Sequence, residues 1–148
     1  MDGPWFEDVS VGDVLPPVIR RPTYMDLVVY AGASRDFFEI HHDRDAAQAA
    51  GHPDVIVQGS LKGAWVGQVA TGWMGRFGRL RLFEIQYRGV DVPDRTVTGR
   101  GVVRRTWVEG DEGCVELELW LENEAGERTV RGSAVVALPR RAGPTIPR

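Results

Sequence analysis

The stretch from Gly59 to Gly75 is the feature that most constrains the fold, because it is too apolar to form an exposed helix. Nearly all of its side chains are apolar or small, and Lys62 is its only charged residue. A helix that is apolar on nearly every side belongs inside a core. At 1.5 Å per residue it would run about 24 Å, the length of a small domain. We expect its glycines to let other backbone approach closely, namely Gly63, Gly67 and Gly72.

After Arg79 the apolar residues recur at every second position, which is typical of half-buried β-strands. The clearest run alternates apolar residues with glutamates: Val115, Leu117, Leu119 and Leu121 against Glu116, Glu118 and Glu122. Turn-forming residues near 93, 110 and 124 separate the runs and predict antiparallel hairpins. A slip of phase at Leu82-Phe83 indicates a bulge. One buried helix followed by this meander predicts an α+β fold, with an antiparallel sheet curled around the helix.

The first third of the chain is predicted to hold short elements. Residues 14–19 are predicted to form one short edge strand. Thr23 and Asp43 are predicted N-caps of two helices, the first over residues 24–31 and the second stopping at Gly51. A polar loop joins these two helices.

Length and composition favour one domain over residues 1–148, with a core over 5–138 and a disordered tail over 139–148. No apolar run approaches the roughly 20 residues of a membrane span, and the acidic N-terminus without a secretory signal favours the cytoplasm. Cys114 is the only cysteine, so we expect no disulfide, no metal site and no cofactor. The net charge of −3 gives no general attraction to nucleic acid.

The polar loop contains the densest group of titratable residues, which includes Asp36, His41 and His42. A carboxylate and an imidazole five residues apart in a turn can converge on one water molecule. The imidazole then takes a proton from the water while the carboxylate orients it. On these residues alone, the alternative is a solvated loop with capping aspartates.

Gly59, where the long helix begins, is a second candidate. The free N–H groups and the positive dipole end of a helix suit an anionic oxygen there, such as that of a thioester becoming an enolate. The structural alternative is that Gly59 relieves crowding and that Ser60 caps the helix.

Three groups of residues occur together, in this order: Phe6-Glu7-Asp8-Val9-x-Val11-Gly12-Asp13, then Ala31-Gly32-Ala33-Ser34-x-Asp36-x4-His41-x-Asp43-x2-Ala46-x3-Ala50-Gly51, then Val57-x-Gly59. The combination resembles the MaoC-like dehydratase family, which includes the R-specific enoyl-CoA hydratases. The resemblance covers roughly residues 5–138. It implies a hot-dog fold, in which an antiparallel sheet wraps a long central helix, and pairing of such sheets into dimers.

The same resemblance implies roles for three residues: Asp36 and His41 as the catalytic pair, and the Gly59 amide as the oxyanion hole. The implied substrate is an acyl-CoA or an acyl carrier protein thioester. The family's usual Asp-x-Asn-Pro-x-His turn lacks its Asn-Pro here, and its usual His-Gly-Met reads Gln58-Gly59-Ser60. The form of residues 35–45 looks closest to the small subunits of heteromeric hydratases that act on steroid side-chain CoA thioesters in actinobacteria.

The resulting hypothesis is a hydro-lyase that reversibly hydrates a trans-2-enoyl thioester to a 3-hydroxyacyl thioester. One alternative is a hot-dog thioesterase, which is less favoured because residues 60–75 contain no acidic residue. Another is a non-catalytic or partner-dependent subunit of a heteromeric hydratase. The acyl group, CoA against acyl carrier protein, a homodimer against a heterodimer with a second hot-dog subunit, the part played by His42 and the direction of reaction stay open.

Overall fold

The computed structural model describes residues 2–141, in which all helical segments precede the last four strands of the sheet. The helices are α1 (Tyr24–Ser34), α2 (Arg44–Ala49) and α3 (Gly59–Met74), with short 3₁₀ turns at Phe6–Asp8 and Glu39–His41. The strands are β1 (Val18–Arg20), β2 (Arg79–Tyr87), β3 (Val97–Glu109), β4 (Glu112–Asn123) and β5 (Arg128–Leu138).

The five strands form one antiparallel sheet in the order β1-β3-β4-β5-β2. As predicted, β3, β4 and β5 are consecutive hairpin partners. The simple meander is wrong for β2, which pairs with β5 and not with the next strand in sequence. Residues 88–96 link β2 to β3 and are too many for a tight hairpin, so they allow this crossover. The α+β architecture with a sheet curled around one long helix is confirmed.

Side chains of α3 and of the sheet share one hydrophobic core. The apolar residues of β4 that alternate with glutamates are fully buried: Val115, Leu117, Leu119 and Leu121. They belong to the same buried cluster as Val66, Val69 and Ala70 of α3. The alternation of period two therefore placed the inner face of the sheet correctly.

Glycines of β3 allow α3 to lie close to the sheet. A methyl group added at Gly99 would come within 2.9 Å of Val69 on α3, and one at Gly101 would come within 3.2 Å of the same side chain. The glycines of α3 itself were predicted to admit other backbone, but they face β2 side chains or open space: Gly63, Gly67 and Gly72. The close approach of α3 to the sheet therefore depends on the glycines of β3 and also on Gly63, where an added methyl group would come within 2.7 Å of Ile85 on β2.

Helix α1 is longer at its C-terminus than predicted. It continues through Gly32 to Ser34, and Arg35 then adopts a left-handed conformation with φ of 59°. The predicted cap at its N-terminus is confirmed, because the Thr23 side chain accepts from the Asp26 N–H while the Asp26 carboxylate accepts from the Thr23 N–H. This reciprocal pair is a capping box.

Replacing Thr23 with Ala should lower the free energy of unfolding by about 1 kcal/mol, because it removes half of the capping box. Two hydrogen bonds hold the pKa of Asp26 below its usual 3.8, one from the Thr23 N–H, which alanine keeps, and one from the Thr23 hydroxyl, which alanine loses. The contribution of the hydroxyl bond is present above the usual pKa and is lost as pH falls through the lowered one, so the effect of the substitution should shrink in acid. Urea unfolding at neutral and acidic pH measures both, and Thr23→Ser, which keeps a hydroxyl, should retain most of the stability.

Three smaller expectations also differ from the structure. The predicted strand over 14–19 is shorter and later: Val14 makes a single bridge to Val102 of β3, and only Val18–Arg20 forms a strand paired with β3. The bulge of β2 lies between Leu80 and Leu82, slightly earlier than expected. The predicted disordered tail begins with residues 139–141, which hydrogen-bond to the first 3₁₀ turn, and its remainder, 142–148, lies outside the described residues.

Candidate functional site

His41 is buried and its ring is held by the backbone. The side chain is at the end of the second 3₁₀ turn, and the residue is only 7% exposed. Its Nδ1 lies 2.7 Å from the carbonyl oxygen of Ile56. A carbonyl can only accept, so Nδ1 carries the proton and Nε2 of the neutral ring is left as a proton acceptor.

Asp36 lies beside this free nitrogen. Its Oδ2 is 3.6 Å from His41 Nε2, and its side chain is 39% exposed. The separation is too long for a direct hydrogen bond, but it suits two groups that contact one bound water or substrate atom between them. The structure therefore brings together the two side chains that the sequence analysis paired.

The turn between Asp36 and His41 forms without the Asn-Pro of the usual motif. The His41 N–H donates to the Phe38 carbonyl at 3.1 Å, and the Asp43 N–H donates to the Glu39 carbonyl at 2.8 Å. The Tyr24 hydroxyl of α1 donates to the carbonyl of the next residue, His42. Backbone hydrogen bonds and one contact to α1 therefore replace the rigidity that a proline would give.

His42 points at its own loop. Its Nε2 lies 3.1 Å from the Phe37 carbonyl, so this nitrogen donates a hydrogen bond to the backbone. Of the two adjacent histidines, it is His41 whose ring nitrogen lies beside the Asp36 carboxylate.

Gly59 is the first residue of α3. Gln58 stands at the cap position but makes no side-chain cap, because its buried amide donates instead to the Leu27 carbonyl of α1 at 2.8 Å. Ser60, proposed above as an alternative cap, lies inside the helix. The Gly59 N–H is one of the amides that a helix cannot satisfy internally, so it can receive an anionic oxygen.

The segment before Gly59 connects this helix start to His41. Ile56, whose carbonyl fixes the His41 ring, lies three residues before Gly59, and its own N–H donates to the Ile40 carbonyl at 3.0 Å. Arg44 at the start of α2 forms two hydrogen bonds of 2.9 and 3.1 Å with Asp54, and these bonds hold the pKa of Asp54 below its usual range. The His41 ring and the start of α3 are therefore both fixed to residues 54–58.

An open cavity of about 340 Å³ lies between α1 and α3. Its wall is mainly apolar and includes Tyr30 of α1 and Leu61 and Trp65 of α3, with Arg20 and Arg21 among the other lining residues. Leu61 and Trp65 follow Gly59 along α3, but Asp36, His41 and Gly59 do not themselves line the cavity. An apolar wall with cations nearby can accept an apolar group attached to an anionic carrier.

A model of the MaoC like domain matches residues 13–123, which is more than half of the 148 residues. The chain belongs to the MaoC-like family. This MaoC-like chain is also 40% identical over 67 residues to the 3-oxo-4,17-pregnadiene-20-carboxyl-CoA hydratase beta subunit of Mycobacterium tuberculosis. That match covers 44% of the chain and 50% of the relative, so it spans about half the length of the curated protein.

Solved structures have the same fold as this MaoC-like chain. The ChsH1–ChsH2 complex from Mycobacterium tuberculosis contains a chain that is 26% identical, with a TM-score of 0.77, over 88% of this chain and 98% of that one. The (R)-hydratase from A. caviae involved in PHA biosynthesis is 22% identical, with a TM-score of 0.79, over 90% and 99% of the two chains. The predicted hot-dog fold is confirmed by these likenesses.

A buried ion pair near the site of this MaoC-like chain was not predicted from the sequence. Lys62 of α3 and Asp91 are 2% and 5% exposed, and Lys62 Nζ lies 2.8 Å from Asp91 Oδ2. The available signal was a single lysine within an apolar helix, together with an aspartate between Val90 and Val92. The period of α3 could not reveal which charged residue, 29 positions away, is its partner.

Two negative findings apply to residues 2–141 of this MaoC-like chain. Their histidine, cysteine and acidic side chains include no group of three placed to hold a metal ion. In the same range, every helix is too short or too polar to cross a bilayer.

Proposed function

We propose that this chain reversibly hydrates the double bond of a trans-2-enoyl thioester. His41 Nε2 removes a proton from water as the water oxygen attacks C3, and Asp36 positions that water and assists delivery of a proton to C2. The Gly59 N–H binds the thioester oxygen while it carries the negative charge of the enolate. Water is thereby added across the bond, with hydroxyl on C3 and hydrogen on C2.

The observation that carries this proposal is the geometry around His41. Its Nδ1 is committed to the Ile56 carbonyl, and its other ring nitrogen faces the Asp36 carboxylate at 3.6 Å. A general base needs a free basic nitrogen within reach of one water, with a group that orients it. Membership of a family of dehydratases supports hydro-lyase chemistry in general.

We further propose that the partner is a second hot-dog subunit and that the substrate is an acyl-CoA thioester. The similarity to a hydratase beta subunit and to a chain of a two-protein complex supports a heteromeric assembly. In the sheet order, β2 is an edge strand of nine residues, and its Leu82 and Tyr87 side chains are exposed. A long edge strand with exposed apolar residues favours pairing with another sheet.

Two other assignments remain to be separated from this one. A partner-dependent subunit is favoured by the same similarity to a beta subunit. A thioesterase is disfavoured, because its carboxylate normally lies on the central helix and α3 contains no Asp or Glu. The three assignments differ in the product that the chain forms and in whether it forms one alone.

The test follows the absorbance of the conjugated enoyl thioester with crotonyl-CoA and with a bulkier 2-enoyl-CoA, in parallel with an assay for free thiol. We expect loss of the conjugated absorbance with no release of thiol. If hydration occurs only when the chain is co-expressed with a second hot-dog subunit, the chain is a partner-dependent subunit. Release of CoA without hydration would overturn the proposal in favour of a thioesterase, and inactivity in both preparations would contradict hydration of these substrates.

A further inference from the structure

The ion pair between Lys62 and Asp91 is the most unusual feature of the core. Lys62 is the only lysine in the chain, and both side chains are almost completely removed from solvent. Removing two charges from water is unfavourable, and a buried pair of this kind is often no more stabilising than apolar residues of the same size. Stability alone therefore gives a weak reason for this pair.

The pair is held by further hydrogen bonds. Lys62 Nζ also donates to the Gly89 carbonyl at 2.7 Å, and the Thr129 hydroxyl of β5 donates to Asp91 Oδ2 at 2.6 Å. Asp91 Oδ1 is buried and has no hydrogen-bond partner among residues 2–141. Lys62 Nζ therefore has two acceptors and Asp91 Oδ2 has two donors, and these bonds together hold the two side chains in place.

The backbone of Asp91 contacts the segment that carries the proposed site. Its carbonyl accepts from the Val57 N–H at 2.8 Å. Val57 follows Ile56, whose carbonyl holds the His41 ring, and it precedes Gly59 by two residues. Lys62 belongs to the first turn of α3, where its own N–H donates to the Gln58 carbonyl at 3.1 Å. Asp91 is thus bound to both ends of this segment, by its backbone and by its side chain.

We propose that Lys62 and Asp91 are positioning residues, which clamp the first turn of α3 against residues 56–58 and so fix the His41 ring relative to the Gly59 amide. They act through other groups, since neither is placed to touch the substrate in this proposal. The inference rests on the proposed function for its catalytic consequence. Its structural consequence, the fixed ring of His41, does not depend on it.

The expected consequence of releasing the clamp follows from the His41 hydrogen bond. If the Ile56 carbonyl moves, Nδ1 loses its acceptor and the neutral ring can place its proton on either nitrogen. A fraction of the molecules then lacks a free Nε2 beside Asp36. Misplacement of reacting groups by about 1 Å can lower a rate about a hundredfold, while binding of the rest of the substrate changes little.

The principal test is the double variant Lys62→Met/Asp91→Asn, which removes both charges and leaves no unpaired ion in the core. The asparagine side chain keeps an oxygen for the Thr129 hydroxyl. We expect the variant to fold, with kcat lowered about tenfold to a hundredfold and KM nearly unchanged. Val136→Ala, which would leave a cavity in β5 away from the clamp, is the control for lost stability. It should leave kcat unchanged at temperatures below the melting temperature of the variant.

The second readout is the ¹⁵N spectrum of the histidine rings, which reports the tautomer of His41 in the absence of any substrate. Wild type should show one nitrogen protonated and the other free, whereas in the double variant both should move towards intermediate shifts. Thr129→Val, which keeps both charges, should give smaller changes in the same direction, and it decides the question if the double variant does not fold. The signal of His41 is assigned from its loss in a His41→Asn sample.

The outcomes separate this inference from the proposed function. The clamp would be overturned if the double variant keeps the wild-type kcat and an unchanged His41 spectrum. If only Thr129→Val folds, the same result in that variant would overturn it. A wild type that hydrates no enoyl thioester, but whose His41 spectrum changes in the variants as expected, would contradict the function while supporting the clamp.

Discussion

Replacing His41 with Asn should lower kcat/KM for hydration of a trans-2-enoyl thioester by about 10²–10⁴-fold. The substitution removes the basic Nε2 that faces Asp36. The amide of Asn can still donate to the Ile56 carbonyl, so the change leaves no buried acceptor unpaired and should not unfold the turn. The measurement is the initial rate of loss of the enoyl absorbance, with thermal unfolding recorded on the same samples.

His42→Gln is the matched control, because the residue is adjacent and has the same chemistry. Its Nε2 donates to the Phe37 carbonyl, and the amide nitrogen of Gln reaches the position of Nε2, as that of Asn reaches the position of Nδ1 in His41. We expect the control to keep most of the activity. Equal losses in the two variants would indicate that the whole loop had been disturbed, and a fully active His41 variant would remove the acid–base assignment.

Much of the fold could be predicted from the sequence because the strongest patterns report burial. The alternation along β4 fits only a half-buried strand, and the apolar surface of α3 fits only a buried helix. Both predictions are confirmed. The position of β2 beside β5 could not be predicted, because the period of a strand states which face is buried but not which strand lies next to it. The end of α1 was missed because a glycine permits a helix to stop without requiring it.

Some features of the candidate site could likewise be predicted from the sequence, and others could not. The spacing from Asp36 to His41 predicted their contact, because few residues separate them and the turn is local. The acceptor for His41 Nδ1 could not be predicted, because it is a backbone carbonyl that any residue at position 56 would supply. The charge pair of α3 was missed for a different reason: the apolar pattern around Lys62 predicts burial of the helix but gives no information about a partner far along the chain.

Replacing Gly59 with Pro should lower kcat for hydration by about 10²–10³-fold, while leaving α3 intact. Gly59 is the first residue of the helix, a position where proline is favoured because its N–H would have no partner within the helix. Gln58 already has φ of −55° and ψ of 135°, a conformation compatible with a following proline. The substitution therefore removes the proposed oxyanion donor, whose loss is worth roughly 3–4 kcal/mol in the transition state.

Gly59→Ala supplies the control for crowding in this experiment. A Cβ at this position would lie 3.3 Å from the ring of Tyr87, so both substitutions press on that side chain, but alanine retains the N–H. We expect Gly59→Ala to remain within a few-fold of wild type, whereas the proline variant loses activity with little change in KM, because the amide binds charge that develops only during reaction. Equal losses in the two variants would assign the effect to Tyr87 and not to the amide. Full activity of the proline variant would show that the helix start provides no hydrogen bond to the reacting thioester.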